Sequence, residues 1–136
     1  PYDLEYSARV ERASARKKVK LLGPLVRSQL WALMRDSSVL LSPIAWEEPF
    51  GLAMAEAQAA GCPVVAFKRG ATEEVIVDGL TGILVEPGDI AGAVVAVSAA
   101  GALDRSACRL HAERALDISR CIEAHIAFYE KMMSRG

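Results

Sequence analysis

Glu48-Pro49-Phe50-Gly51-Leu52-Ala53-Met54-Ala55-Glu56, followed by Ala59-Ala60-Gly61-Cys62-Pro63-Val64-Val65-Ala66-Phe67, says more about the architecture than any other part of the chain. Leu40-Leu41-Ser42-Pro43-Ile44 leads into it out of an apolar strand. The stretch itself reads as a strand end, a tight turn, a short helix and a buried strand. Pro49 has a φ suited to a first helical turn, and Gly51 leaves the backbone open to close approach by a ligand. A helix starting near Phe50 or Gly51 presents unpaired N–H groups and the positive end of its dipole, which together attract phosphate. Glu48 and Glu56 would repel that phosphate. They are read instead as acceptors for hydroxyl donors on either side of it.

The spacing of the two carboxylates narrows the ligand. Eight helical residues advance about 12 Å. That is too far for a retaining glycosidase pair, which needs about 5 Å. A long ligand fits better, with hydroxyl-rich groups at both ends and a diphosphate between them, as in a nucleotide sugar. The spacing alone also allows Glu48 to cap a helix and Glu56 to lie on a solvated face.

Working outward, Tyr2 to about Lys18 has helical composition, and Val19-Lys20-Leu21-Leu22 reads as a short strand ended by the Gly23-Pro24 turn. Ser28 starts a helix to about Arg35, with Leu30, Leu33 and Met34 on its apolar side, and Val39 to Ser42 forms a strand. Gly61 ends the central helix, and Pro63 to Phe67 is a strand covered on both faces. A short helix over Glu73 to Val77 leads to a last strand, Gly82 to Val85. Asp89 caps a helix to about Ala100. C-terminal helices occupy about 104–133, the first starting at Asp104 or Ser106 and the second at Ile118 or Ser119. Leu116, Ile122, Ile126 and Tyr129 form a stripe at helical spacing that is read as packing. Residues 1–136 are therefore expected to form a single α/β domain, a Rossmann-like parallel sheet of about four strands with helices on both faces. Ligands of such folds sit beyond the carboxyl ends of the strands. Gly23, Ser42 to Gly51 and Lys68 to Glu74 all fall there.

With 136 residues and a net charge of −1, the chain is the size of one domain and does not have the charge of a general nucleic-acid or anionic-membrane surface. The basic cluster Arg12, Arg16, Lys17, Lys18 and Lys20 is read as a solvated helix end. Cys62, Cys108 and Cys121 lack metal-ligand spacing and are read as small buried hydrophobes in a reducing cytosol. His111 and His125 are read as surface or boundary residues. No apolar run approaches the roughly 20 residues of a membrane span. No metal and no cofactor are expected, and the location is expected to be cytoplasmic.

The central stretch resembles the signature of the group-1 retaining glycosyltransferases of family 4, which have GT-B architecture, with two glutamates flanking seven residues. Trp46-Glu47-Glu48-Pro49-Phe50-Gly51 resembles that family's W-E-E-P-F-G variant. Arg69-Gly70-Ala71-Thr72-Glu73-Glu74-Val75-Ile76 resembles its glycine turn followed by P-E-V-I. Asp78-Gly79-Leu80-Thr81-Gly82-Ile83-Leu84-Val85 resembles its D-G-x-T-G-x-L-V. The sequence departs from the pattern at Glu73, where proline is usual, at Gln58, where methionine is common, and at Cys62, where threonine is common.

The resemblance implies a donor-binding C-terminal part of a hexosyltransferase that uses a UDP- or GDP-sugar with retention. Glu48, the catalytic residue it implies, would hold hydroxyls of the transferred sugar. The backbone at Phe50, Gly51 and Leu52 would bind the phosphates, Glu56 the ribose and Leu25 the nucleobase, with Gly70 lining the donor. The resemblance also implies that two central strands, the family's Arg/Lys pair and the acceptor-binding N-terminal domain lie outside this chain, so that the segment alone is inactive. Peripheral attachment at the inner membrane would come through that domain. Without the two strands, either the Val19 strand pairs with the Val39 strand, or a homodimer or swapped assembly fills the gap. Two other classes remain open: a non-catalytic nucleotide-sugar module completed by another chain, and an epimerase or phosphorylase. A phosphorylase would need a lysine for pyridoxal phosphate, and Lys68 is the lysine near the crevice.

Overall fold

A computed structural model describes residues 4–15 and 18–134. The chain forms two compact units, Pro1–Leu30 and Trp31–Gly136. Within the first unit, α1 spans Leu4–Ala15 and has no buried residue. The expected strand over Val19 to Leu22 does not form: these residues are irregular, and Val19, Leu21 and Leu22 are exposed. A short, mostly apolar run becomes a strand only where it finds a ladder partner, and none is paired with it among the described residues. The direct pairing of this segment with the Val39 strand therefore does not occur. The sheet has three strands rather than about four. Helix α2, Arg27–Asp36, starts one residue ahead of Ser28, and the Gln29 side chain accepts from the Val26 amide at its entry.

The second unit is an α/β layer. Its strands β1 (Leu40–Ser42), β2 (Val64–Phe67) and β3 (Gly82–Val85) run parallel in that order. Val64 of β2 stands opposite Leu40 on one side and Gly82 on the other. All four β2 residues are buried, as a central parallel strand requires. The short helix after β2 is α4 (Thr72–Val75), slightly ahead of the expected Glu73 to Val77, and helix α5 (Ile90–Ala100) covers one face of the sheet. Ala96 and Ala100 pack there with Val65, Phe67 and Val85. Helix α3 (Leu52–Ala59) packs against β1, β2 and helix α6 (Arg105–Ala115). Helices thus flank the sheet, as the alternation of elements in the sequence implies.

The helix boundaries follow from caps. The carboxylate of Asp89 accepts from Gly92 N, that of Asp104 from Ser106 N and that of Asp117 from Ser119 N, each at 2.8 Å. Each aspartate thereby satisfies one of the amides that a helix start leaves unpaired. Gly61, with φ of 75°, follows α3 in the left-handed conformation expected beyond a C-cap. Arg105 donates to the carbonyl of Ser37 at 2.6 Å, tying α6 to the chain just past α2.

Two expectations need correction. Helix α7 (Ile118–Met133) has no buried residue; Leu116 ahead of it is half-buried, but Ile122, Ile126 and Tyr129 are all more than half exposed, so among the described residues these three do not join the core. Cys121 is exposed, whereas Cys62 and Cys108 are fully buried, with thiol pKa values pushed up chiefly by burial. His111 is half-buried, with Nε2 3.3 Å from the Val75 carbonyl, and His125 is exposed, so both lie at the surface or boundary. Among the described residues, no single helix is long and apolar enough to cross a membrane.

Candidate functional site

The loops that follow β1 and β2 leave the carboxyl ends of neighbouring strands and meet there, where parallel α/β sheets place their ligands. The first loop ends in Gly51, which occupies the left-handed region at φ 84° and ψ 58° as the N-cap of α3. A residue in that conformation cannot continue an α-helix. Pro49 and Phe50 therefore belong to the turn before the helix, and α3 begins at Leu52. A Cβ at residue 51 would also lie 2.0 Å from the Met54 Cε. The 12 Å spacing expected of Glu48 and Glu56 assumed helix throughout, whereas only the stretch from Leu52 onward is helical.

The start of α3 is open. Gly51 offers no side-chain cap, and its carbonyl accepts from Met54 N and Ala55 N. Leu52 and Ala53 are exposed, and their amides have no acceptor among the described residues. These two donors and the helix dipole favour an anion here, with the free amides at Leu52 and Ala53 rather than at the expected Phe50, Gly51 and Leu52, because the helix starts later and Gly51 N is taken by Glu48.

Glu48 stands beside this end. Its Oε1 accepts from the Gly51 amide at 3.2 Å and its Oε2 from the Trp46 indole Nε1 at 2.9 Å. The helix-capping role that the spacing left open is thus partly realised. A carboxylate has about four acceptor positions, so two remain for hydroxyl donors. Glu56 sits half-buried on the second turn of α3. Phe50 and Leu52 expose their side chains around the helix start. Leu25 belongs to the first unit.

The second loop lies against the first, backbone to backbone. Gly70 has φ of 55°, and a Cβ there would lie 2.3 Å from the Glu48 carbonyl oxygen and 2.5 Å from its amide nitrogen. Ala71 N donates to the Glu48 carbonyl at 2.8 Å. The Gly70 amide is itself engaged, donating to Glu47 Oε2 at 2.6 Å, so the role of Gly70 here is to permit close approach. Lys68 is held by Glu86 at 2.7 Å, which raises its pKa. A lysine forming a Schiff base must reach its neutral form, so this pairing works against the pyridoxal-phosphate role.

The sequence reading assigned no contact to Trp46 or Glu47. Their adjacency to Glu48 in the W-E-E-P-F-G run was the available signal, but it is the turn that points both toward the site.

A family model described as Glycosyl transferases group 1 matches residues 1–107. The chain belongs to this family. It is 33% identical over 120 residues to the D-inositol 3-phosphate glycosyltransferase of Mycolicibacterium vanbaalenii, covering 86% of this chain and 26% of that enzyme. It is 36% identical over 81 residues to the glycogen synthase of Mycobacterium tuberculosis, covering 60% of the chain and 19% of the synthase. The chain thus spans about a quarter or less of these relatives. The HepE protein of Anabaena, solved in complex with UDP-glucose, superposes with a TM-score of 0.74 at 26% identity, over 98% of this chain and 38% of that one. The sucrose-phosphate synthase of Thermosynechococcus elongatus shares the fold, with a TM-score of 0.77 at 23% identity over 97% of this chain and 35% of that one. The group 1 glycosyltransferase domain with its GT-B fold is therefore shown by sequence family and by structure alike.

Proposed function

We propose that this chain is the donor-binding part of a family 4 glycosyltransferase that moves a hexose from a nucleoside-diphosphate sugar to an acceptor with retention. One observation carries the reading: the Trp46–Gly51 turn sets the Glu48 carboxylate beside an uncapped helix start at the carboxyl ends of β1 and β2. The HepE neighbour, solved with UDP-glucose, supports a nucleotide sugar as the ligand.

In this reading the free amides of Leu52 and Ala53, at the start of α3 just past Phe50 and Gly51, face the diphosphate, while the Gly51 amide holds Glu48. Glu48 accepts from hydroxyls of the transferred sugar and Glu56 from the ribose. Gly70 leaves room for the second loop to close on Glu48. Transfer requires charge to build on the leaving diphosphate, and oriented amides at a helix start stabilise such charge without reorganising. In this reading an N-terminal domain holds the acceptor, the Arg/Lys pair lies on strands of the donor-binding half outside residues 1–136, and these residues alone are inactive. No metal or cofactor takes part, and the reaction is cytoplasmic.

Calorimetric titration of the intact protein with UDP-, GDP- and ADP-glucose tests the reading. One of the three should bind, and binding should weaken in Glu48→Ala. Failure of every nucleotide sugar to bind would refute it.

A further inference from the structure

We propose that Glu47 is a positioning residue that clasps the 68–72 loop onto Glu48 and so sets the sugar end of the donor site. The inference rests on the donor-site reading above and adds a residue to which that reading gives no role. Glu47 joins the two loops with both oxygens: Oε2 accepts from the Gly70 amide at 2.6 Å, and Oε1 accepts from Arg69 Nη1 at 3.1 Å. The second loop is also closed on itself, with Arg69 N donating to Thr72 Oγ1 at 3.0 Å. It therefore meets Glu47 as a preformed turn.

The consequence falls on the next residue. Glu48 has its main chain pinned by Ala71 N at 2.8 Å and by the bare face of Gly70, with no room for so much as a methyl group between them. Its carboxylate is fixed separately, by Trp46 and the Gly51 amide. Glu47 closes the first of these two restraints and touches neither the Glu48 carboxylate nor the helix start. It is 70% exposed as a side chain, so it adds nothing to the core, and an exposed ion pair with Arg69 contributes little to stability by itself. What it can change is the aim of Glu48.

This separates two ligands. The nucleoside diphosphate leans on the amides of α3 and on Glu56, whereas the sugar leans on Glu48. Loss of the clasp should therefore weaken the nucleotide sugar and spare the nucleotide. The test is calorimetry on the intact protein, with the nucleotide sugar that binds tightest among UDP-, GDP- and ADP-glucose and with its matching nucleoside diphosphate. Glu47→Ala should weaken the nucleotide sugar about tenfold, as loss of a charge-assisted hydrogen bond does, and the nucleoside diphosphate less than about threefold. Glu47→Gln keeps an oxygen for the Gly70 amide and should restore most of the affinity. Glu86→Gln, which removes the partner of the neighbouring Lys68, serves as the control and should change neither. If the alanine variant does not fold, Arg69→Gln opens the clasp from its other side and should show the same split to a smaller degree.

Equal losses for both ligands, or glutamine behaving as alanine does, would overturn the proposal. If the wild-type protein binds no nucleotide sugar, the donor-site reading itself falls and the clasp with it. If the wild type binds and Glu47→Ala binds as tightly, only the clasp is wrong.

Discussion

Replacing Gly70 by alanine probes the closest backbone-to-backbone approach in the site, and its cost can be worked out from the geometry. A left-handed alanine costs about 1–2 kcal/mol relative to glycine. Gly79 supplies the reference for that part, because it has φ of 75° and nothing within 4 Å of where its Cβ would stand. At residue 70 the new methyl would meet the Glu48 backbone at 2.3 Å, and a main chain cannot swing aside as a side chain does. The loops must separate, which breaks the Ala71 bond to the Glu48 carbonyl and loosens the Gly70 bond to Glu47. Each loss is worth about 1 kcal/mol, the second discounted because Glu47 is exposed. Gly70→Ala should then be between about 1 and 2 kcal/mol more destabilising than Gly79→Ala. Urea unfolding of the two variants against wild type measures the difference, and calorimetry measures donor affinity in parallel. Gly70→Ala should lose nucleotide-sugar binding and Gly79→Ala should keep it. Equal destabilisation, with binding intact in both, would refute the argument that the two loops are locked through this glycine.

Other outcomes follow from the same coordinates. Glu56→Ala should weaken binding of the nucleoside diphosphate itself, whereas Glu48→Ala should weaken the nucleotide sugar far more than the free nucleotide; calorimetry with both ligands distinguishes them, and identical losses would contradict the roles. A thiol reagent should modify Cys121 quickly in the native protein and reach Cys62 and Cys108 only on unfolding, because burial both shields those two and disfavours their thiolates. The Ser119 amide holds the Asp117 carboxyl below its usual range. Its stabilising contribution is therefore fully present above the unfolded value of about 3.9 and is lost as pH falls through the lower folded value. Circular dichroism of wild type and Asp117→Asn should show the acid dependence of α7 in the first and its absence in the second.

The second unit was legible because its signals are local. An apolar run between Gly61 and Lys68, a cap at Asp89 and a glycine beyond α3 each depend on a few neighbours in sequence. The β3 bounds, Gly82–Val85, came out as expected for the same reason. Readings that depended on a distant partner fared less well. Val19 to Leu22 has strand composition, but a strand exists only with a neighbour to bond. The α7 stripe has helical periodicity, but periodicity reports an apolar face and not what covers it. In the site, the signature placed Glu48 and Gly51 correctly at the helix entry. It could not show that Gly51 is left-handed, which moves the helix start to Leu52 and turns Pro49 into a loop residue. Trp46 and Glu47 escaped notice because one glutamate in a Glu-Glu pair looks like another until the turn sends them to different partners.

In the proposed donor site Glu48 would accept from a sugar while already bonded to Trp46 and Gly51. A carboxylate free to rotate would need ordering at the moment of binding, at a cost of about 1 kcal/mol or more in lost side-chain freedom. Here Trp46 and the Gly51 amide have already fixed the plane of the group, using one acceptor position on each oxygen. The positions left over therefore point in set directions, and in the proposed site a sugar hydroxyl would meet an acceptor that need not move. The Gly51 amide gives the same carboxylate a second effect, since its bond draws negative charge to the edge of the helix start without blocking the amides of Leu52 and Ala53. Diphosphate and carboxylate can then lie side by side along one ligand, each facing its own donors. The Glu-Pro-Phe-Gly turn fits this requirement: three residues after the glutamate, the chain must reverse into a left-handed conformation that glycine adopts without strain.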